Sequence, residues 1–251
     1  MDSQQLEQYR SFLKDSVRLT IDFSQTAQRR GLPAPPLQKP YPPDARRVAL
    51  PKKDAWQGVE PLDLATAIGK RHSRRHFKAA PLSLDAIAFL LWATQGIRKK
   101  TASWSAFRTV PSAGCRHAFE TYLAVLQVTG IEPGVYRYLP IEHELLALAP
   151  AADLGARLEA ATLGQDFVAQ AGAVFIWTAI PARMEWRYSL AAHKAIALDA
   201  GHVCQNLYLA TQAVGAGTCA VAAYDQPAMD RLVGADGHDE FVLYLAPVGR
   251  V

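Results

Sequence analysis

Residues 189–214, SLAAHKAIALDAGHVCQNLYLATQAV, set Ala, Leu and Ile on every side of a helical projection. A helix without a polar face has to be buried, so this segment is expected at the centre of the protein. The other elements must then be layers around it. SLDAIAFLLWATQG (83–96) reads as a second helix, capped by Ser83, with Asp85 in its first turn and Gly96 at its end. PLDLATAIGK reads as a helix with Pro61 at its first position, and a further helix is expected around 153–170. AFETYLAVLQV and GVYRYLP flank an Ile-Glu-Pro-Gly turn and form a hairpin signal, while AVFIWTAI, GTCAVAAY and EFVLYLAPVG read as strands. Strands and helices mix without a βαβ rhythm, so the fold class is α+β with a central, mostly antiparallel sheet flanked by helices.

Ahead of that body, residues 1–60 read as an N-terminal arm. A helix-like start (Leu6, Tyr9, Phe12, Leu13) leads into six prolines between Pro33 and Pro43. Such a run favours extended backbone and cannot form a helix or a central strand, so it is expected to lie over a surface. The folded domain is expected over 61–251.

Half of the 251 residues are hydrophobic and the net charge is +4, from 27 bases against 23 acids. This is a globular composition with a mild basic excess, and it argues against a nucleic-acid partner. Three cysteines in apolar surroundings read as reduced thiols. The start MDSQQLEQYRSFLKDS is too polar for a signal peptide, and the apolar runs are too short to span a bilayer. A cytoplasmic protein without a membrane partner is therefore expected. Gly215 to Ala220 matches a G-x-G-x-x-A dinucleotide motif. A helix leads in and a strand leads out, the reverse of what the motif needs. Cys115-x-His117 and His202-x-Cys204 lack zinc-loop spacing, so no metal site is expected.

One stretch is unusually basic: KRHSRRHFKAA, residues 70–80. Arg71, Ser73 and Arg75 set two guanidiniums and a hydroxyl within five residues, and a guanidinium fork suits a phosphate. The alternative is a solvated charge run. Pro111-Ser112-Ala113-Gly114 is a turn of small residues that a flat ligand could approach closely. In Gly217 to Ala223, small side chains leave backbone amides open. Cations for a phosphate and small residues beside a ring are what flavin mononucleotide (FMN) requires.

RHSRRHF, RTVPSAG, EPGVYRY, LDAGHVCQN and LYLAPVGR occur in the order seen in the nitroreductase superfamily. The chain resembles its SagB-type branch, the FMN-dependent thiazoline and oxazoline dehydrogenases, from about Asp44 to Val251 and in the proline-rich arm. The resemblance implies a nitroreductase-like fold in an intertwined homodimer with FMN at the interface. It also implies that Arg71, His72, Ser73 and Arg75 hold the phosphate, ribityl chain and pyrimidine edge, with Arg250 as a further phosphate contact. Pro111, Ser112, Ala113 and Gly114 would reach the flavin of the other subunit. Ala220, Val221, Ala222 and Ala223 would line the ring near N5.

The implied activity is hydride transfer through that atom to or from a small-molecule or peptide substrate, with a biosynthetic partner enzyme as a further implication. An NAD(P)H-dependent nitro- or quinone reductase on the same fold, with NAD(P)H as donor, is the alternative. A flavin-binding partner subunit without turnover is another. Where the branch carries a Lys-Tyr pair that assists proton removal, this chain has Arg187-Tyr188. Arginine stays protonated and is a poor base, so as catalytic residues Arg187 would bind or orient an anionic substrate and Tyr188 would donate a proton or hydrogen bond; the alternative is that both pack at a helix edge.

Overall fold

Successive side chains of a strand face opposite sides of its sheet, so a strand that is apolar at every position needs cover on both faces. The computed structural model, which describes residues 2–102, 104–149 and 152–251, meets that need with three layers. The strands are β1 (Arg47–Ala49), β2 (Leu82–Ser83), β3 (Ile97–Ala102), β4 (Ser105–Arg108), β5 (Phe119–Val125), β6 (Val128–Thr129), β7 (Gly134–Leu139), β8 (Glu144–Ala149), β9 (Ala173–Ala179), β10 (Ala216–Thr218) and β11 (Phe241–Arg250). The helices are α1 (Ser3–Ser11), α2 (Leu64–Lys70), α3 (Leu84–Gln95), α4 (Leu154–Ala161), α5 (Asp166–Ala169), α6 (Ala182–Tyr188), α7 (Ala192–Gln212) and α8 (Gln226–Val233).

Among the described residues, a seven-stranded sheet runs β1-β8-β7-β5-β9-β11-β10, with every neighbouring pair antiparallel. Leu123, Phe175 and Trp177 face one way and join the core formed with α3 and α7. Tyr122, Val174 and Ile176 face the other way, into a second core with α4, α5 and α8. The α+β class and the antiparallel sheet are as the sequence leads one to expect.

Four local expectations change. Helix α7 buries Ile196, Val203, Leu207 and Ala210, yet Leu198 is 58% exposed, and Ala197, Gly201 and Gln205 on the same side are open. The sheet and α3 cover one side of this helix, and no further layer of the chain lies beyond it among the described residues. Helix α2 starts at Leu64 rather than Pro61, because the Asp63 side chain accepts the Thr66 amide at 2.9 Å and so caps it there. The segment 153–170 divides into α4 and α5, since Leu163 and Gly164 take left-handed φ of 59° and 79°. In GTCAVAAY the strand ends at Thr218, and one isolated bridge from Val221 to Leu245 follows.

The proline segment lies on the sheet and is bound by charges buried beneath it. Arg137 donates to the carbonyls of Lys39 and Pro40 at 2.9 and 3.0 Å, and Arg108 donates to that of Leu37 at 3.1 Å. Glu120, on β5 and 3% exposed, accepts the Lys39 amide at 2.8 Å and forms an ion pair with buried Arg183. Lys39 in turn pairs with Glu240, which also accepts from the Tyr122 and Thr178 hydroxyls at 2.8 and 2.7 Å. Segments without ladder partners of their own thus find their hydrogen bonds in these side chains.

Burial pushes the Glu120 carboxyl up, but Arg183, Arg137 and the Lys39 amide outweigh it and hold its pKa below the usual value. Stability from this group is therefore fully present above the ordinary glutamate pKa and is lost as pH falls through the depressed one. Glu120→Gln leaves Arg183 buried without its counter-charge, at a cost of about 3–5 kcal/mol. Thermal melts should show a large drop for the variant at pH 7 and a smaller difference from wild type in strong acid.

Candidate functional site

The basic stretch leaves α2 in extended form and runs beside β10. Ser73 forms a parallel bridge with Thr218, and the Arg74 amide donates to the Thr218 carbonyl at 2.9 Å. The approach is close: a Cβ on Gly217 would stand 2.5 Å from the Arg74 Cγ. Tyr208, on α7, ties three segments together. Its hydroxyl lies 2.9 Å from the Ser73 Oγ and accepts the Ala220 amide at 2.8 Å, and the Arg71 guanidinium rests 5.4 Å from its ring. Arg75 lies over Phe167 at 5.9 Å. Arg250 donates to the Val214 carbonyl at 2.6 Å, and Lys78 holds the Arg250 carbonyl with its amide at 2.9 Å. Arg71 and Arg75 have no carboxylate partner among the described residues, which leaves a cradle of open positive charge.

The residues after Thr218 divide in role. Val221 is buried in the second core, and its amide and carbonyl pair with Leu245. Ala222 and Ala223 are exposed, with the Ala223 carbonyl accepting from Gln165 at 2.8 Å. The Ala220 and Val221 amides are therefore used inside the protein, and those of Ala222 and Ala223 have no hydrogen-bond partner among the described residues.

Pro111 to Gly114 form a second cluster. The Ser112 hydroxyl accepts the His117 amide at 2.9 Å, and Asp199 of α7 accepts the Ala113 amide at 3.3 Å. Burial pushes the Asp199 carboxyl above its usual pKa, against the opposing pull of the Ser112 hydroxyl and the Ala113 amide. Burial, then Arg108, pushes His117 down to about 3, so it is a neutral imidazole near pH 7. Gly114 has φ 59°, and a Cβ there would stand 2.5 Å from the Tyr188 hydroxyl and 2.9 Å from the Arg187 Nε. Arg187-Tyr188, at the end of α6, is thereby joined to the turn that the sequence marked separately. The Arg187 guanidinium lies 5.6 Å from the Tyr188 ring.

The structure brings Arg71, Ser73, Ala220 and neighbouring Arg250 together, and Pro111 to Gly114 with Arg187 and Tyr188. It does not join the two groups within one chain. Asp199 and Tyr208, their anchors, are nine residues apart on α7, about 14 Å along the axis and on opposite faces. Sequence reasoning missed both anchors. A tyrosine and an aspartate inside a largely aliphatic helix were the available signals. A Gly114→Ala variant should lose about 1–3 kcal/mol from the left-handed backbone and the displaced Tyr188. The check is a thermal melt of the variant beside Gly69→Ala, where a Cβ meets nothing within 4 Å.

Comparison with known proteins places these clusters in context. The model of the nitroreductase family matches residues 68–250. A Methanocaldococcus jannaschii protein that carries a nitroreductase name is 33% identical over 192 residues, covering 76% of this chain and 93% of that protein. The trifolitoxin-processing protein TfxB of Rhizobium leguminosarum bv. trifolii is 33% identical over 142 residues, or 53% of this chain. The match spans 38% of that relative's length. A crystal structure from Ralstonia eutropha, also carrying a nitroreductase name, superposes with a TM-score of 0.67 at 26% identity, over 88% of this chain and 99% of its own.

Proposed function

The chain belongs to the nitroreductase family, and from that premise we propose that it is an FMN-dependent oxidoreductase working through the flavin N5. The observation that carries this reading is the junction at Tyr208, which fixes Ser73 and the Ala220 amide together beneath unpaired Arg71. The donor set fits a phosphate and a planar ring. Two guanidiniums without a carboxylate partner among the described residues supply charge-assisted bonds, and exposed Ala222 and Ala223 offer small side chains beside them. Arg71, His72, Ser73, Arg75 and Arg250 would hold the phosphate, ribityl chain and pyrimidine edge, with Ala222 and Ala223 beside the ring. Bound FMN supplies the hydride chemistry, and the protein supplies binding, orientation and proton control.

The opposed half-sites on α7 support a homodimer, in which Pro111 to Gly114 of one copy serve the site of the other. The exposed apolar stripe around Leu198 offers a surface for it. Replacing both Arg71 and Arg75 by Ala removes charge-assisted bonds worth about 1.5–3 kcal/mol each. The double variant should purify without flavin absorbance. Full yellow colour in that variant defeats the phosphate assignment.

Within this reading the likeness to a trifolitoxin-processing protein supports a place beside the azoline dehydrogenases, with a peptide substrate and a biosynthetic partner enzyme. Arg187 favours the second reading, an NAD(P)H-dependent reductase of small acceptors. Its guanidinium keeps its proton and cannot accept one, whereas Tyr188 can donate a proton or hydrogen bond. Wild-type protein should therefore consume NADPH with a nitroaromatic acceptor while removing two hydrogens from an azoline peptide slowly or not at all. Mass spectrometry of the peptide, with Arg187→Lys in parallel, decides between the readings. Rapid oxidation by the wild type selects the azoline dehydrogenase.

A further inference from the structure

The Arg187-Tyr188 pair also lines an open cavity of about 300 Å³ whose other wall is the N-terminal arm. Arg18, Phe23, Thr26, Gln28 and Arg29 complete its lining. The arm is bound to α6 beside the pair itself. The Gln28 amide donates to the Trp186 carbonyl at 2.9 Å, and the Trp186 indole N–H donates to the Leu32 carbonyl at 2.9 Å. The arm is thus a wall of this cavity.

The charge inside is unbalanced. Arg18 spends its Nε on Asp15 at 2.7 Å and keeps its other nitrogens without a partner among the described residues. Arg29 and Arg187 face no carboxylate at all among those residues. The nearby acid on α6, Glu185, is paired with His193 at 2.8 Å. Arg29 and Arg187 thus line the cavity without a counter-charge among the described residues, and a guanidinium fork matches a carboxylate with two parallel hydrogen bonds. Phe23 and Tyr188 add aromatic surface, and Thr26 and Gln28 add polar side chains. Arg18 lies 5.7 Å from the Phe23 ring and Arg187 lies 5.6 Å from that of Tyr188, so flat apolar faces stand beside the cations. The volume is at the small end of ligand pockets.

We propose that this cavity binds a small organic carboxylate with a flat apolar body, its acid group held by Arg29 and Arg187 and its body set between Phe23 and Tyr188. This deepens the function proposed above and rests on it only in making such an acid the substrate, because Tyr188 then meets both the acid and the Gly114 turn.

The test is calorimetric titration of the full-length protein with sodium benzoate, benzamide and inorganic phosphate, with the flavin absorbance of each sample recorded. Benzoate should bind, and benzamide, of the same shape without the charge, should bind at least about tenfold more weakly. Arg29→Gln, at an exposed side chain that makes no hydrogen bond in the fold, should weaken benzoate by roughly tenfold with its melting temperature and flavin content unchanged. Arg187→Gln should weaken it similarly. Equal binding of benzamide, phosphate competing as well as benzoate does, or an Arg29→Gln variant with wild-type affinity would each overturn the assignment. A yellow protein that ignores benzoate refutes this inference and leaves the flavin function standing. A colourless protein that binds benzoate does the reverse.

Discussion

Both side-chain clusters depend on the way α7 is seated against the sheet. Ile196, Val203, Leu207 and Ala210 are buried on one side of this helix, and together they fix its rotation about its own axis. Interiors are packed closely enough that such a helix cannot turn without opening voids. The rotation in turn aims Asp199 at the Ala113 amide and the Tyr208 hydroxyl at Ser73 and Ala220. Two clusters distant in sequence therefore share one rigid support, and neither rests on a loop alone.

A second set of interactions does for the arm what α7 does for the clusters. Extended chain rich in proline has few amides to offer and no ladder to join, so its carbonyls must be met by side chains. Arg108 and Arg137 reach them from inside the protein, and their own charges are tolerable because Glu120 and Glu240 lie in the same network. Burial lowers the Arg108 pKa to about 10, which still leaves it charged at neutral pH. This network gives the arm a defined position, and a defined position allows Arg18 and Arg29 to share a cavity with α6.

Much of the fold was legible in the sequence because it follows from local rules. The apolar run of β9 required cover on both faces, and Ser83 caps α3 by accepting the Ala86 amide, while Gly96 ends it in extended form where a Cβ would meet the Trp92 ring. The break at Leu163 and Gly164 was not legible, since a left-handed pair inside a helical pattern depends on what the flanking turns pack against. The open face of α7 was hidden for a different reason: composition reports that a surface is apolar, not which molecule covers it. The basic stretch and the Pro111 turn could be named from residue type and spacing. Their anchors could not, because a hydrogen bond from Tyr208 to Ser73 spans 135 residues and leaves no periodic trace. The cavity beneath the arm escaped notice for the same reason, being made of two segments that meet only after folding.

The arm's position has a consequence for the order of events during synthesis. Its bonds to Glu120, Arg137 and Glu240 join residues 81, 98 and 201 positions apart. Contacts of such separation must await their partners and carry the entropy of closing long loops, so they form late. The proline segment is therefore among the last parts of the fold to dock, although it precedes every one of these partners in the chain. Until Glu240 has emerged the proline segment has no complete seat, and until Trp186 has emerged the wall carrying Arg18 and Arg29 has no bond to α6. A nascent or truncated chain would present its sheet and helices with that side of α6 still open to water.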